Sequence, residues 1–334
     1  MKLRAWMSRL GIDPYIFLLI GTVALAAMLP ARGEVGVIVG HAVKWVVALL
    51  FFVYGAKLST SEVVRGLLHW RLQSLILAST FVLFPILGCL AMVLLRHLMS
   101  PLLLTGVMFV CVLPSTVQSS IAFTSIARGN VPAALCAASV SNLAGMVITP
   151  VLVMLLLNSS KGISFHAIED IVLQLLLPFV LGQLIRPKLG PLLKRHRFIT
   201  TIVDRGSILV VIYAAFSAGV VAGIWSQVSV GGLVLLFIVD AILLAIVLII
   251  MNFIGSRHFS TEDRIAIIFC GSKKSLASGI PMANILFPAQ SVGLVVLPLM
   301  LFHQIQLFTC AILAQRFARH GQQVGSAETT ERAA

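Results

Sequence analysis

Charge is what this sequence has least of. Only 10% of its 334 residues are charged and 11 are acidic, against roughly 25% charged residues in an ordinary soluble domain. With 59% hydrophobic residues, a water-soluble fold would lack the polar surface needed to cover itself. The few carboxylates are scattered, so no cluster could hold Mg²⁺ for phosphoryl or prenyl transfer. Neither HExxH nor GxxxxGK[ST] occurs, and the run Gly271-Ser272-Lys273-Lys274-Ser275 lacks the loop spacing of a phosphate cradle. The five cysteines, Cys89, Cys111, Cys136, Cys270 and Cys310, stand singly inside apolar runs. That excludes a disulfide framework and a zinc site, and leaves them as small core residues. The sequence therefore reads as no enzyme, and it implies no cofactor.

Long apolar runs are abundant. A membrane-spanning helix needs about 20 mostly apolar residues. Ten such runs fall near 14–30, 37–57, 72–95, 103–127, 131–157, 168–188, 199–222, 229–253, 264–286 and 291–315. Barrel strands would be about ten residues long and alternating, so the expected fold is an all-α polytopic membrane protein. Short connections leave no room for a soluble domain. The first run follows Lys2, Arg4 and Arg9 as a signal peptide would, but nine further runs make it an uncleaved first helix. The folded domain is expected over 1–318, with a disordered cytoplasmic tail at 319–334.

The net charge of +13 would suggest nucleic acid in a soluble chain. Here the basic residues sit in loops and are distributed unevenly. With the N-terminus inside, the inner side holds Lys2, Arg4, Arg9, Lys57, Arg65, Arg71, Arg128, Arg186, Lys188, Lys194, Arg195, Arg197, Arg205, Arg257, Arg264, Arg316, Arg319 and Arg332, and the outer side only Arg32, Arg96 and Lys161. Positive charge stays inside, so both termini are expected in the cytoplasm, in a bacterial inner (plasma) membrane. The basic excess faces lipid headgroups rather than nucleic acid.

Ten spans divide into repeat one, about 14–158, and repeat two, about 168–318. A unit with an odd number of spans re-enters the membrane from the opposite side when repeated, giving inverted repeats. The fourth span of each half is interrupted by polar residues: Pro114-Ser115-Thr116-Val117-Gln118-Ser119-Ser120 in one, and Gly271-Ser272-Lys273-Lys274-Ser275 through Gly279 in the other. Interrupted helices persist in lipid only when buried in protein or lining a cavity, and a matched pair points to a transport site. The competing reading is that Ser and Gly simply let helices pack closely. Lys273 and Lys274 lie near mid-membrane, where one lysine costs about 2.5–3.5 kcal/mol on insertion scales. Asp240, near the middle of span 8, is the candidate charge partner. Asn142 in span 5 and His303 in span 10 are the polar groups expected to reach the cavity, because their spans adjoin the broken helices.

At these residues the sequence resembles the bile acid:sodium symporter superfamily, in particular its outlying branch of SBF-like transporters. The matches are Leu113 to Ser120, Arg128 through Pro150, Lys274-Ser275-Leu276, and Gly279-Ile280-Pro281-Met282. The resemblance implies ten helices in two inverted five-helix repeats. Spans 1, 2, 6 and 7 would form a panel and the rest a core, with helices 4 and 9 crossing at their breaks. It also implies alternating access between panel and core.

Sodium-coupled members carry a carboxylate just before the second break and a glutamine close by. Here Phe269 or Cys270 and Lys273 stand in those places, Thr80 replaces a glutamine of span 3, and Ala134 and Ala138 replace hydroxyl residues of span 5. An ammonium about 4 Å from Na⁺ repels it by about 4 kcal/mol at an effective dielectric of about 20. The lysines are expected to take sodium's place, leaving coupling to Na⁺, to H⁺ or to neither open. The function expected is secondary transport of a small organic anion through Ser115, Thr116, Gln118, Ser119, Ser120, Asn142, Lys273, Lys274, Ser275 and His303. A channel, or a non-transporting regulator on the same fold, is the competing class, since broken helices also line pores.

The orientation yields a labelling experiment. In a cysteine-free background, Arg195→Cys should react with a membrane-impermeant maleimide only after permeabilisation, and Lys161→Cys should react in intact cells. Labelling of Arg195→Cys in intact cells would reverse the topology.

Overall fold

The computed structural model describes residues 15–57, 69–157, 172–223 and 229–331. Lys2, Arg4, Arg9, Arg65, Lys161 and Arg332, used above for orientation, lie outside these residues. Twelve helices are labelled here in chain order: α1 (Tyr15–Met28), α2 (Gly33–Lys57), α3 (Trp70–Leu95), α4 (Pro101–Val112), α5 (Val117–Ile126), α6 (Val131–Leu157), α7 (Leu177–Arg195), α8 (Arg197–Val221), α9 (Val230–His258), α10 (Thr261–Gly271), α11 (Leu276–Leu286) and α12 (Ala289–Glu331). Six are long and apolar enough to cross a bilayer, and α4 with α5 is apolar and long enough as a pair, bent by 61° at its break as a broken span or a re-entrant loop would be. The protein is thus an all-helical polytopic membrane protein. The α10–α11 pair carries two lysines and several serines at its break, which lowers its hydropathy, and α1 has 14 described residues.

Short side chains fix the helix starts. Ser229 accepts from Gly232 N at 3.0 Å, Ser260 from Asp263 N at 3.2 Å and Asn130 Oδ1 from Ala133 N at 3.0 Å, each satisfying an amide with no partner in the helix. The turn from α5 to α6 is closed by Arg128 at φ 61° and by Gly129 N donating to Thr124 O at 2.8 Å, a left-handed helix stop. Asn130 ties this turn to α10, its amide nitrogen reaching Asp263 Oδ1 at 2.7 Å.

Packing separates two groups of helices. α2 lies along α7, and α8 packs on both α1 and α2. α3 to α6 and α9 to α12 surround one another, and α8 meets them chiefly at α11 and α12. Polarity is reversed relative to a soluble protein. Trp45, Leu184 and Val230 are at least 70% exposed, whereas Lys273, Lys274, Asp240 and Gln306 are fully buried. Lipid faces the apolar surface and the polar residues converge inside.

α3 is not a regular α-helix. A π turn spans Ser79–Leu83, and Phe84 N donates to Ser79 O. Such a turn shifts the hydrogen-bond ladder and releases a carbonyl. α12 runs as helix to Glu331, into the stretch where the tail is expected. Its Gln, Ala and Glu residues favour helix enough to carry it through Gly321 and Gly325, which cost about 1 kcal/mol each.

α2 and α7 touch backbone to backbone. A Cβ on Gly55 would collide with the Phe179 carbonyl, and one on Gly182 with the Phe52 carbonyl. In lipid, where no hydrophobic effect draws helices together, such contact supplies van der Waals packing. Gly182→Ala should therefore lower stability in detergent by about 1–3 kcal/mol despite alanine's better helix propensity. Gly206→Ala, with nothing within 4 Å, is the control and should be neutral or stabilising. The check is thermal unfolding followed by fluorescence size-exclusion chromatography.

Candidate functional site

Two helices stop in mid-membrane and their ends meet. Pro114 has no amide to donate and a fixed φ, and the chain leaves α4 extended, with Leu113 at ψ 154° and Thr116 at ψ 137°. α10 ends at Gly271, and Ser275 (ψ 110°) opens α11. Close approach requires small residues around the breaks. A Cβ on Gly145 would come within 2.6 Å of Pro114, and one on Gly279 within 2.5 Å of Leu113 and Leu299.

Broken helices expose backbone groups that lipid cannot satisfy, and here they find partners across the crossing. Ser275 N donates to Pro114 O at 2.9 Å, joining the two breaks directly. Ser115 Oγ donates to Cys270 O at 2.6 Å, Ser120 Oγ to Phe269 O at 3.1 Å and Ser79 Oγ to Gly271 O at 2.7 Å. Thr149 Oγ1 donates to Val112 O at 2.7 Å, and Ser141 Oγ accepts from Ser115 N at 3.0 Å. Gln306 brackets Lys274 like a strand partner: its Oε1 accepts from Lys274 N and its Nε2 donates to Lys274 O, both at 2.9 Å.

Lys274 carries the strongest interaction. Its Nζ donates to Thr80 O at 2.9 Å, Cys111 O at 2.9 Å and Leu113 O at 2.7 Å, and sits 4.1 Å from the centroid of the Phe84 ring. All three ammonium protons are used. The carbonyls come from the π turn of α3 and from the end of α4, so one cation joins three backbone segments.

Lys273 turns the other way. Its Nζ has no hydrogen-bond partner and lies 4.0 Å from the Phe123 centroid and 5.5 Å from that of Phe269, an arrangement held by cation–π attraction. The expectation that Asp240 neutralises a lysine is corrected here. Both Asp240 carboxylate oxygens are buried without a hydrogen-bond partner. Backbone carbonyls satisfy Lys274 in its place, because the helix break brings them within reach.

Beside the crossing lies a cavity of about 290 Å³, and Thr116, Gln118, Asn142 and Ser275 line it together with Ser139 and Ser278. Ser278 Oγ donates to Asn142 Oδ1 at 2.7 Å. Of the other expected residues, Ser115, Ser120 and Lys274 tie the crossing, Lys273 lies among aromatic rings, and Ser119 contacts Thr116 Oγ1 at 3.4 Å. His303 sits behind the crossing, 2.8 Å from Gln306 Nε2, and does not line this cavity. A larger cavity of about 390 Å³, with His41 and Lys44 in its wall, lies toward the opposite end of α2.

The far wall of the smaller cavity holds residues that sequence reasoning missed. Asp204 of α8 is 8% exposed. It accepts from Tyr54 Oη at 2.6 Å and from Gln118 Nε2 at 3.1 Å. Lys57 lines the same cavity. Asp204 adjoins Arg205 near a span end, which disguises it as part of a loop-flanking charge pair. Its place eight residues into α8 is the signal that could have revealed it.

A crossing of this kind, beside a polar cavity, agrees with what sequence comparison finds. The profile of the SBF-like CPA transporter family matches residues 13–319. The chain is 49% identical over 315 residues to the Escherichia coli protein named "Putative symporter YfeH", covering 94% of this chain and 95% of that one. It is also 49% identical over 318 residues to the Pseudomonas aeruginosa protein named "Uncharacterized protein PA2026", covering 94% and 96%. To the sodium/bile acid cotransporter 7 of Rattus norvegicus it is 31% identical over 272 residues, 80% of each chain. With the match running from the first helix to the end of the last span, the chain belongs to the SBF-like CPA transporter family of the bile acid:sodium symporter superfamily.

Proposed function

We propose that this protein is a secondary transporter of a small organic anion, working by alternating access. In this reading ten spans form two inverted repeats, α1, α2, α7 and α8 make a panel, and the other helices make a core. The bent pairs α4–α5 and α10–α11 are equivalent elements of the two halves. Both termini face the cytoplasm of a bacterial inner membrane, and the cavity containing Lys57 opens to that side. Substrate would sit between panel and core, against Thr116, Gln118, Asn142 and Ser275, with Lys57 offering it positive charge.

The observation that carries the reading is the ammonium of Lys274 among three carbonyls. Three backbone oxygens converge on one positive charge, as oxygens do around a bound metal cation. Here the cation is covalently part of the protein, so it cannot leave. Sodium is therefore not the coupling ion at the crossing, and the lysine supplies its structural effect permanently. A channel is the weaker alternative, because the breaks are plugged by their own hydrogen bonds rather than lining a continuous pore.

Three outcomes are expected in proteoliposomes screened with radiolabelled organic anions. Replacing Na⁺ by K⁺ should leave initial uptake unchanged. Lys274→Ala should abolish it and destabilise the fold, because each stranded buried carbonyl costs about 1–3 kcal/mol. Lys273→Met should fold at least as stably as the native protein, since it removes a buried cation without a hydrogen-bond partner. Strict Na⁺ dependence, or a fully active Lys274→Ala, would overturn the reading.

A further inference from the structure

Asp204 is out of place in a site for anions. It is the one carboxylate among the described residues lining the cavity, and Lys57 is the one fixed cation there. As drawn, the two cancel and the cavity offers an anion no net attraction. The carboxylate also bridges the two helix groups. Tyr54, on α2 of its own group, donates to Oδ1, and Gln118, on α5 of the opposite group, donates to Oδ2. Any separation of α8 from α5 must break the second bond.

We propose that Asp204 is the proton-binding residue of the transport cycle. A proton from the water on the open side of the cavity binds its Oδ2, converting carboxylate to carboxylic acid and removing the charge that holds the Gln118 amide. The bridge between the groups then loses its charge-assisted character. The cavity changes from neutral to singly positive through Lys57, and so admits one organic anion with each proton. When the groups have rearranged, the proton leaves to water on the other side and the carboxylate forms again. The proposal rests on reading the cavity as an anion-transport site.

The surroundings favour a proton over a metal cation. Both groups touching the carboxylate present hydrogens to it, an O–H and an N–H, so Na⁺ would first have to displace them. A proton needs only the Gln118 amide to turn and present its oxygen. Of the other ionisable neighbours, Tyr54 and Lys57 come from α2, and Arg205 on α8 lies 4.9 Å from the Tyr15 ring centroid of α1. α5, α6, α7 and α11 bring no titratable group to the cavity wall.

The test uses the purified full chain in lipid nanodiscs and infrared difference spectra recorded across a drop in pH. The chain's other acids give a C=O stretch common to all variants; beside it the native protein and Asp204→Glu should gain the component of a protonated carboxyl in the cavity, and Asp204→Asn should lack that component. Asp240→Asn should keep it, which separates the two acids. Substituting NaCl for KCl at fixed pH should leave the band unchanged. An undiminished band in Asp204→Asn would overturn the proposal, as would suppression of the native band by Na⁺, which would make Asp204 a sodium ligand. The band reports proton binding without substrate, so it stands or falls separately from anion uptake. Where uptake is measured, Asp204→Asn should lose the native pH dependence, and retention of that profile would also count against the proposal.

Discussion

The ammonium of Lys274 holds this architecture together. Helices broken within the apolar bundle leave carbonyls that neither lipid nor distant water can satisfy, and a single buried ammonium donates to two of them, Cys111 O and Leu113 O, and to Thr80 O of the π turn of α3. Desolvating that cation is expensive, so each half of the arrangement is unstable without the other. The π turn of α3, the end of α4 and the start of α11 are therefore specified jointly. Gln306 extends the same logic to α12 by pairing with both the amide and the carbonyl of Lys274.

Lys273 shows how differently a neighbouring residue can be solved. One position along the chain, at a break where no helix periodicity constrains direction, the side chain points into a ring cluster and makes no hydrogen bond. Neither lysine reaches the cavity wall. The charges facing the cavity are Lys57 and Asp204, which approach from the other helix group. The crossing is thus a structural joint, and the transport proposal puts recognition at the adjacent seam between helix groups.

Much of this was legible in the sequence because membrane physics is severe. Apolar runs and interrupted spans each leave a strong signature, and the breaks at Pro114 and Gly271 fall where the polar residues placed them. The serines and Gln118 stand out in the sequence as polar groups within an apolar run, and the structure sets several of them along the crossing and the cavity beside it. What the sequence concealed depends on three-dimensional partnership. Asp240 invited pairing with a lysine because it was a mid-membrane acid, yet the competing acceptors were backbone carbonyls, which leave no trace in a sequence. His303 was judged by the adjacency of its span to a broken helix, but its ring meets Gln306 one turn along α12 and does not line the cavity. Tyr54 and Asp204 lie 150 positions apart, and neither carries a local pattern that announces the other.

The glycine contact between α2 and α7 has a mechanical consequence. Side chains between two helices act as springs, since rotamers adjust as the axes shift. At Gly55 and Gly182 no side chain intervenes, and each backbone rests against a carbonyl of the other. A load applied to α2 at Tyr54 or Lys57 passes into α7 without slack. Helices clamped in this way behave as one lever, and relative motion is left to contacts where side chains intervene, among them those of α8 with α11 and α12.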